Sequence, residues 1–209
     1  MSELTLKSCR DFADVLASKE PVSGGGGAAS YVGALGAALC TMVGNYTVGK
    51  KKYAEVEDEV KALMAEAIDI QHKLVDLAEA DADAFEPLSK AYGIPKEDPN
   101  RDKVMEDCLR NAVAAPAEMV RQSARAIELH QRMGQIGSKI MLSDVGTGVL
   151  LCKAALLGAA LNVKVNTKSM ADRDYAMALN KEMDDLCEKY SALADEVYQK
   201  MAKRFVQEA

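Results

Sequence analysis

The feature that most constrains this 209-residue chain is a run of apolar side chains advancing by alternating steps of four and three: Val56, Val60, Leu63, Ala67, Ile70, Leu74 and Leu77. That spacing keeps every member on one side of an α-helix; a strand would alternate faces at every residue. So long a stripe needs helices of matching length to cover it, which predicts a bundle. Continuing the steps puts Asp81, Ala84 and Leu88 on the same stripe, so a carboxylate falls on a core position. Either the helix has already left the core there, or Asp81 has a partner or ligand, because an unpaired buried carboxylate costs several kcal/mol. A cationic substrate would be such a ligand. Pro87 is expected to kink or end this helix.

The other segments read the same way. Leu4 to Leu16 forms a short first helix stopped by Pro21, and Pro21 to Gly27 forms a glycine-rich loop. A second helix runs from Ala28 to about Val48. After a loop from Gly93 to Asn100, a fourth helical region carries Val104, Cys108, Ala112, Ala115 and Met119 toward Met133, with Pro116 marking a bend or a new start. Ser143 or Asp144 is expected to cap a fifth helix from Val145 to about Val165. A last helix runs from Asp172 toward Val206. Few aromatic residues and no tryptophan agree with a core of Ala, Val, Leu and Met. The expected fold is a single all-α domain over residues 1–209, a bundle of about six helices. The second and fifth helices are apolar almost all round and rich in glycine, which predicts burial partly between subunits.

A net charge of -6 leaves no basic surplus for a phosphate backbone, so no nucleic-acid partner is expected. Five scattered cysteines without a C-x-x-C pair argue against disulfides and structural zinc and fit a reducing cytoplasm. Charges at Glu3, Lys7, Arg10 and Asp11 exclude a signal peptide. The apolar run Ala28 to Gly44 is shorter than the roughly 20 residues of a membrane span, so no membrane is expected.

Gly24, Gly26 and Ala29 satisfy G-x-G-x-x-A without the preceding strand that gives that motif meaning. What remains is a loop entering a helix N-terminus, able to hold a polar or anionic group or to serve as a plain turn. Lys50, Lys51 and Lys52 either offset a helix C-terminus or capture an acidic substrate tail. Two histidines, His72 and His130, exclude a multi-histidine metal centre; His72 reads as solvated and His130 as bordering the core.

PVSGGGGAAS, GALGAAL, MVGNYTVGKKKY, EADADAF, AYGIPK, LSDVG and AALNVKVN, in that order, resemble the cyclodeaminase/cyclohydrolase family along nearly the whole chain. The resemblance implies an intertwined helical homodimer that binds tetrahydrofolate derivatives near the subunit boundary, with no metal and no cofactor beyond the folate substrate. It makes Asp81, the first Asp of D-A-x-A-F, the catalytic carboxylate. Candidate substrate-binding residues by the same resemblance are Gly24, Gly25, Gly26, Gly27, Lys50, Lys51, Tyr53, Ser143, Asp144, Asn162 and Asn166. Of the family's two chemistries, opening methenyltetrahydrofolate with water is expected over closing formiminotetrahydrofolate with loss of ammonia. GKKKY and AYGIPK look closer to free-standing cyclohydrolases, and no transferase segment is present to deliver a formimino group. A non-enzymatic helical homodimer serving as a binding module is the rival reading; it has no need for a carboxylate on the core stripe.

Overall fold

A computed structural model describes residues 4–19 and 24–206. Pro21 and the first residues of the PVSGGGG segment lie outside the described residues. Six α-helices follow one another: α1 Cys9–Leu16, α2 Gly25–Asn45, α3 Glu57–Tyr92, α4 Arg101–Ile136, α5 Leu142–Thr167 and α6 Arg173–Ala202. Short 3-10 turns occupy Leu4–Leu6, Lys51–Val56, Lys139–Met141 and Lys203–Phe205, and no strand occurs among the described residues.

The α3 stripe is the inner face it was expected to be: Val60, Ala67, Ile70 and Leu74 are buried. Beyond Leu74 the helix turns slightly, because 3.6 residues per turn outruns a strict 3.5-residue repeat, and Ala78 takes the core position in place of Leu77. Pro87 neither ends nor breaks α3, which continues to Tyr92. Pro116 likewise sits inside a continuous α4. Both prolines deprive a carbonyl four residues back of its donor, and each helix continues because packing along its length outweighs that loss. Ser143 and Asp144 do not cap α5; they lie in its first turn, behind Met141 at the cap position. Asp172 does cap α6, accepting from the Tyr175 amide at 3.0 Å.

α2 packs against α3, α4 and α5, and α5 packs against α4 and α6. α2 and α5 run antiparallel at very close range. A β-carbon on Gly33 would lie 3.0 Å from that of Ala155, and one on Gly36 would lie 2.5 Å from Cys152 Sγ. The small residues are therefore what lets the two backbones meet. His130 of α4 is fully buried, not merely at the core border, and its Nε2 lies 2.9 Å from the Gly36 carbonyl. A carbonyl only accepts, so Nε2 carries the proton. Burial holds the His130 pKa down at about 4, with the Gly36 bond opposing that shift.

At 21 residues α2 is longer than its apolar run suggested. It and the Lys139–Thr167 segment are long and apolar enough to cross a membrane by length and composition, while half of each most apolar stretch is buried inside the bundle. Their outer sides carry a row of exposed apolar side chains: Leu35 and Met42 on α2, and Leu150, Leu157, Leu161 and Val165 on α5.

Candidate active site

The glycine segment is not the loop its composition suggested. Gly25, Gly26 and Gly27 form the first turn of α2, with Gly24 at the cap position. None has positive φ among the described residues; only Gly49 does, at 77°. What the glycines supply is proximity. A β-carbon on Gly26 would overlap the Asp81 carboxylate, 2.7 Å from its carboxyl carbon and 2.9 Å from Oδ1. One on Gly25 would touch the Asn162 amide, with Nδ2 at 3.5 Å. α3 thus delivers Asp81 and α5 delivers Asn162 to adjacent residues of one helix start. The positive end of the α2 macrodipole stabilises negative charge at that point.

Beside this junction a cavity of about 310 Å³ is lined by Gly24, Asp81, Phe85, Leu88, Ala112, Asn162, Val165 and Asn166. Ligand pockets span roughly 300–1,000 Å³, so it suits a compact heterocycle better than a long extended molecule. No lysine or arginine lines it among the described residues. Its polar side chains among the described residues are one carboxylate and two amides, set among apolar walls that raise the strength of any charge interaction inside. Such a cleft favours a ligand that is cationic or rich in N–H groups. Asp83, by contrast, is exposed on another side of α3, and Glu79 accepts from the Thr5 amide.

The sequence candidates therefore separate into two groups. Gly24, Gly25, Gly26, Asp81, Asn162 and Asn166 meet at the cavity, with Gly27 buried one residue further into α2. Lys50, Lys51, Tyr53, Ser143 and Asp144 lie at the other end of the antiparallel α2–α5 pair, roughly 30 Å away along a 21-residue helix. There the Lys139 amide donates to the Tyr53 hydroxyl at 3.1 Å, and that bond holds the Tyr53 pKa below the usual tyrosine range, with nearby Lys52 and Lys50 adding to it and desolvation opposing it. Lys50 lies 5.8 Å from the Tyr46 ring centroid and Lys52 5.6 Å from that of Tyr53. Lys50 follows α2 by five residues, yet its ammonium reaches back over Tyr46, the residue that caps the C-terminus of α2, a position compatible with either reading of the lysines. This is an exposed basic patch in an acidic protein.

Phe85, Leu88, Ala112 and Val165 were not singled out as lining residues. Leu88 and Ala112 read as ordinary core positions, whereas Phe85, the last residue of D-A-x-A-F, and Val165, within AALNVKVN, stood inside motifs that could have marked them.

Comparison with known proteins adds the following. Residues 8–185 match the family model described as formiminotransferase-cyclodeaminase. Methenyltetrahydrofolate cyclohydrolase of Methylorubrum extorquens is 38% identical over 192 residues, covering 90% of this chain and 92% of that protein. Formimidoyltransferase-cyclodeaminase of Dictyostelium discoideum is 28% identical over 96% of this chain, which spans 37% of that longer protein. The crystal structure of formiminotetrahydrofolate cyclodeaminase from Thermotoga maritima superimposes with a TM-score of 0.81 at 30% identity, covering 96% of both chains.

Proposed function

The chain belongs to the formiminotransferase-cyclodeaminase family, and we propose that it hydrolyses 5,10-methenyltetrahydrofolate to 10-formyltetrahydrofolate, with Asp81 as the catalytic carboxylate. The observation that carries this reading is the carboxylate seated on the first turn of α2, in a cleft whose described lining residues include no cationic side chain. The choice of cyclohydrolase rests on similarity to a protein of that name over nearly its whole length.

The substrate carries a cation delocalised over N5, the bridge carbon and N10. Asp81 stabilises that charge and orients a water, taking a proton as the water oxygen bonds to the bridge carbon. The product of attack is a neutral carbinolamine. Its carbon–N5 bond then breaks as a proton reaches N5 from the same carboxyl group, and the hydroxyl gives up its own proton to solvent and becomes the carbonyl oxygen of the formyl group on N10. The net change is addition of water and release of one proton. No metal or further cofactor takes part in these steps.

In this reading the enzyme works as a homodimer in the cytoplasm, without nucleic acid or membrane. The exposed apolar row on α2 and α5 is the subunit face, and Val165 belongs both to that row and to the cavity lining. Two copies joined there about a two-fold axis, with their α2 helices antiparallel, bring Lys50 and Lys51 of the partner subunit toward the Asp81 end of the first. The glutamate tail of the substrate leaves the cavity in that direction.

The test is to mix purified protein with methenyltetrahydrofolate and follow the loss of its near-ultraviolet chromophore, with formiminotetrahydrofolate assayed beside it. Rapid saturable loss with no ammonia release from the formimino substrate supports the proposal. Ammonia release without methenyl hydrolysis would assign the runner-up chemistry, and turnover of neither would leave a binding module.

A further inference from the structure

Pro116 has no N–H, so the Ala112 carbonyl in α4 loses its regular helix donor. Ala112 lines the cavity, and Asn166 of α5 supplies the missing donor: its Nδ2 lies 3.4 Å from Ala112 O and 3.1 Å from Asn162 O. Both partners are carbonyl oxygens, which can only accept, so the amide nitrogen must face them and both of its hydrogens are engaged. With the amide nitrogen of this cavity-lining residue so engaged, the polar atom it has left to offer a ligand is Oδ1, an acceptor. Asn162, one turn earlier, spends one amide hydrogen on the Gly158 carbonyl at 2.9 Å and likewise keeps its Oδ1 for other partners.

A pair of acceptors at helical i, i+4 spacing stands about 5–6 Å apart between β-carbons. With Asp81 brought in by α3 at Gly26, next to the Gly25 position that Asn162 meets, the described polar side chains of the cavity offer acceptors from two helices. We propose that Asn166, supported by Asn162, reads the amino edge of the pteridine, accepting hydrogen bonds from its 2-amino group and neighbouring ring N–H. Pro116 is the remote positioning residue that fixes the orientation of Asn166. This inference rests on the folate reading above and adds to it the residues that select the heterocycle.

The experiment compares tetrahydrofolate with its analogue bearing a 2-methyl group in place of the 2-amino group, measuring Kd for wild type, Asn166→Ala and Pro116→Ala by titration calorimetry. A hydrogen bond of ordinary strength predicts that wild type prefers the amino ligand by roughly tenfold. Asn166→Ala is expected to bind the two ligands equally. Pro116→Ala returns an N–H to the Ala112 carbonyl and frees the Asn166 amide to rotate, so its preference should fall several-fold. Alanine is favoured at helix-interior positions, so both variants should keep their circular dichroism. An undiminished amino preference in Asn166→Ala overturns the assignment while leaving the folate reading intact. Failure of wild type to bind tetrahydrofolate at all overturns both.

Discussion

Asp81 could be found from spacing because a carboxylate on a core stripe contradicts its surroundings. Gly26 could not be read in the same way. Its neighbour in space lies 55 positions along the chain, and glycine in a G-rich segment signals a turn before it signals a seat for another side chain. The structure gives it a testable role: Gly26→Ala adds a β-carbon where the Asp81 carboxylate sits and must push that flexible side chain aside. The variant should fold at least as well as wild type, since Ala is the better helix former, yet lose a large part of kcat. Wild-type kcat would show that the carboxylate position does not matter. His130 makes a second prediction at this scale. Its folded pKa of about 4 lies below the usual value of 6.5, so the unfolded chain binds the proton more readily. The stability conferred by burying the neutral ring is fully present above pH 6.5 and is lost as pH falls from 6.5 toward 4, in all roughly 3 kcal/mol. Glu66, held below the carboxylate range by Arg125, loses its contribution only at lower pH. Denaturation midpoints measured between pH 7 and 5 should therefore slope in wild type and flatten in His130→Gln.

At the scale of elements, the number and order of helices followed from periodicity, whereas their ends did not. α2 begins three residues before the apolar run because its first turn is made of glycines, which carry no hydropathy signal. α3 and α4 run through Pro87 and Pro116 because tertiary packing outweighs a single missing hydrogen bond, and a local rule cannot see that packing. The same packing makes the α2–α5 contact intolerant of added volume. A β-carbon on Gly36 would meet Cys152 Sγ at 2.5 Å and the Gly148 carbonyl at 3.0 Å, with backbone on one side that cannot rotate away. Gly36→Ala should cost about 1–3 kcal/mol despite its better helix propensity, read as a lowered thermal midpoint. An unchanged or raised midpoint would mean that the two helices can part without loss.

For the whole molecule, the family resemblance supplied two sets of binding residues that one chain holds at opposite ends, and only three-dimensional placement reveals that separation. The homodimer proposed through the apolar α2–α5 row would reunite them. Leu161 is 64% exposed within one chain, so Leu161→Glu should leave the monomer folded while lowering the sedimentation coefficient toward that of a monomer and removing activity. Replacing Lys50 and Lys51 together should raise KM for polyglutamylated substrate more than it lowers kcat, and added salt should mimic part of that loss. The whole arrangement converges on Asp81, and kcat/KM for methenyltetrahydrofolate in Asp81→Asn and Asp83→Asn, each checked by circular dichroism, tests it most directly. The amide keeps the size of the side chain and removes its charge and its basic oxygen, so Asp81→Asn should lose about 10²- to 10⁴-fold, whereas the exposed Asp83 should tolerate the same change with little loss. Near-wild-type turnover in Asp81→Asn, or a larger loss in Asp83→Asn, would contradict the assignment of Asp81 as the catalytic carboxylate.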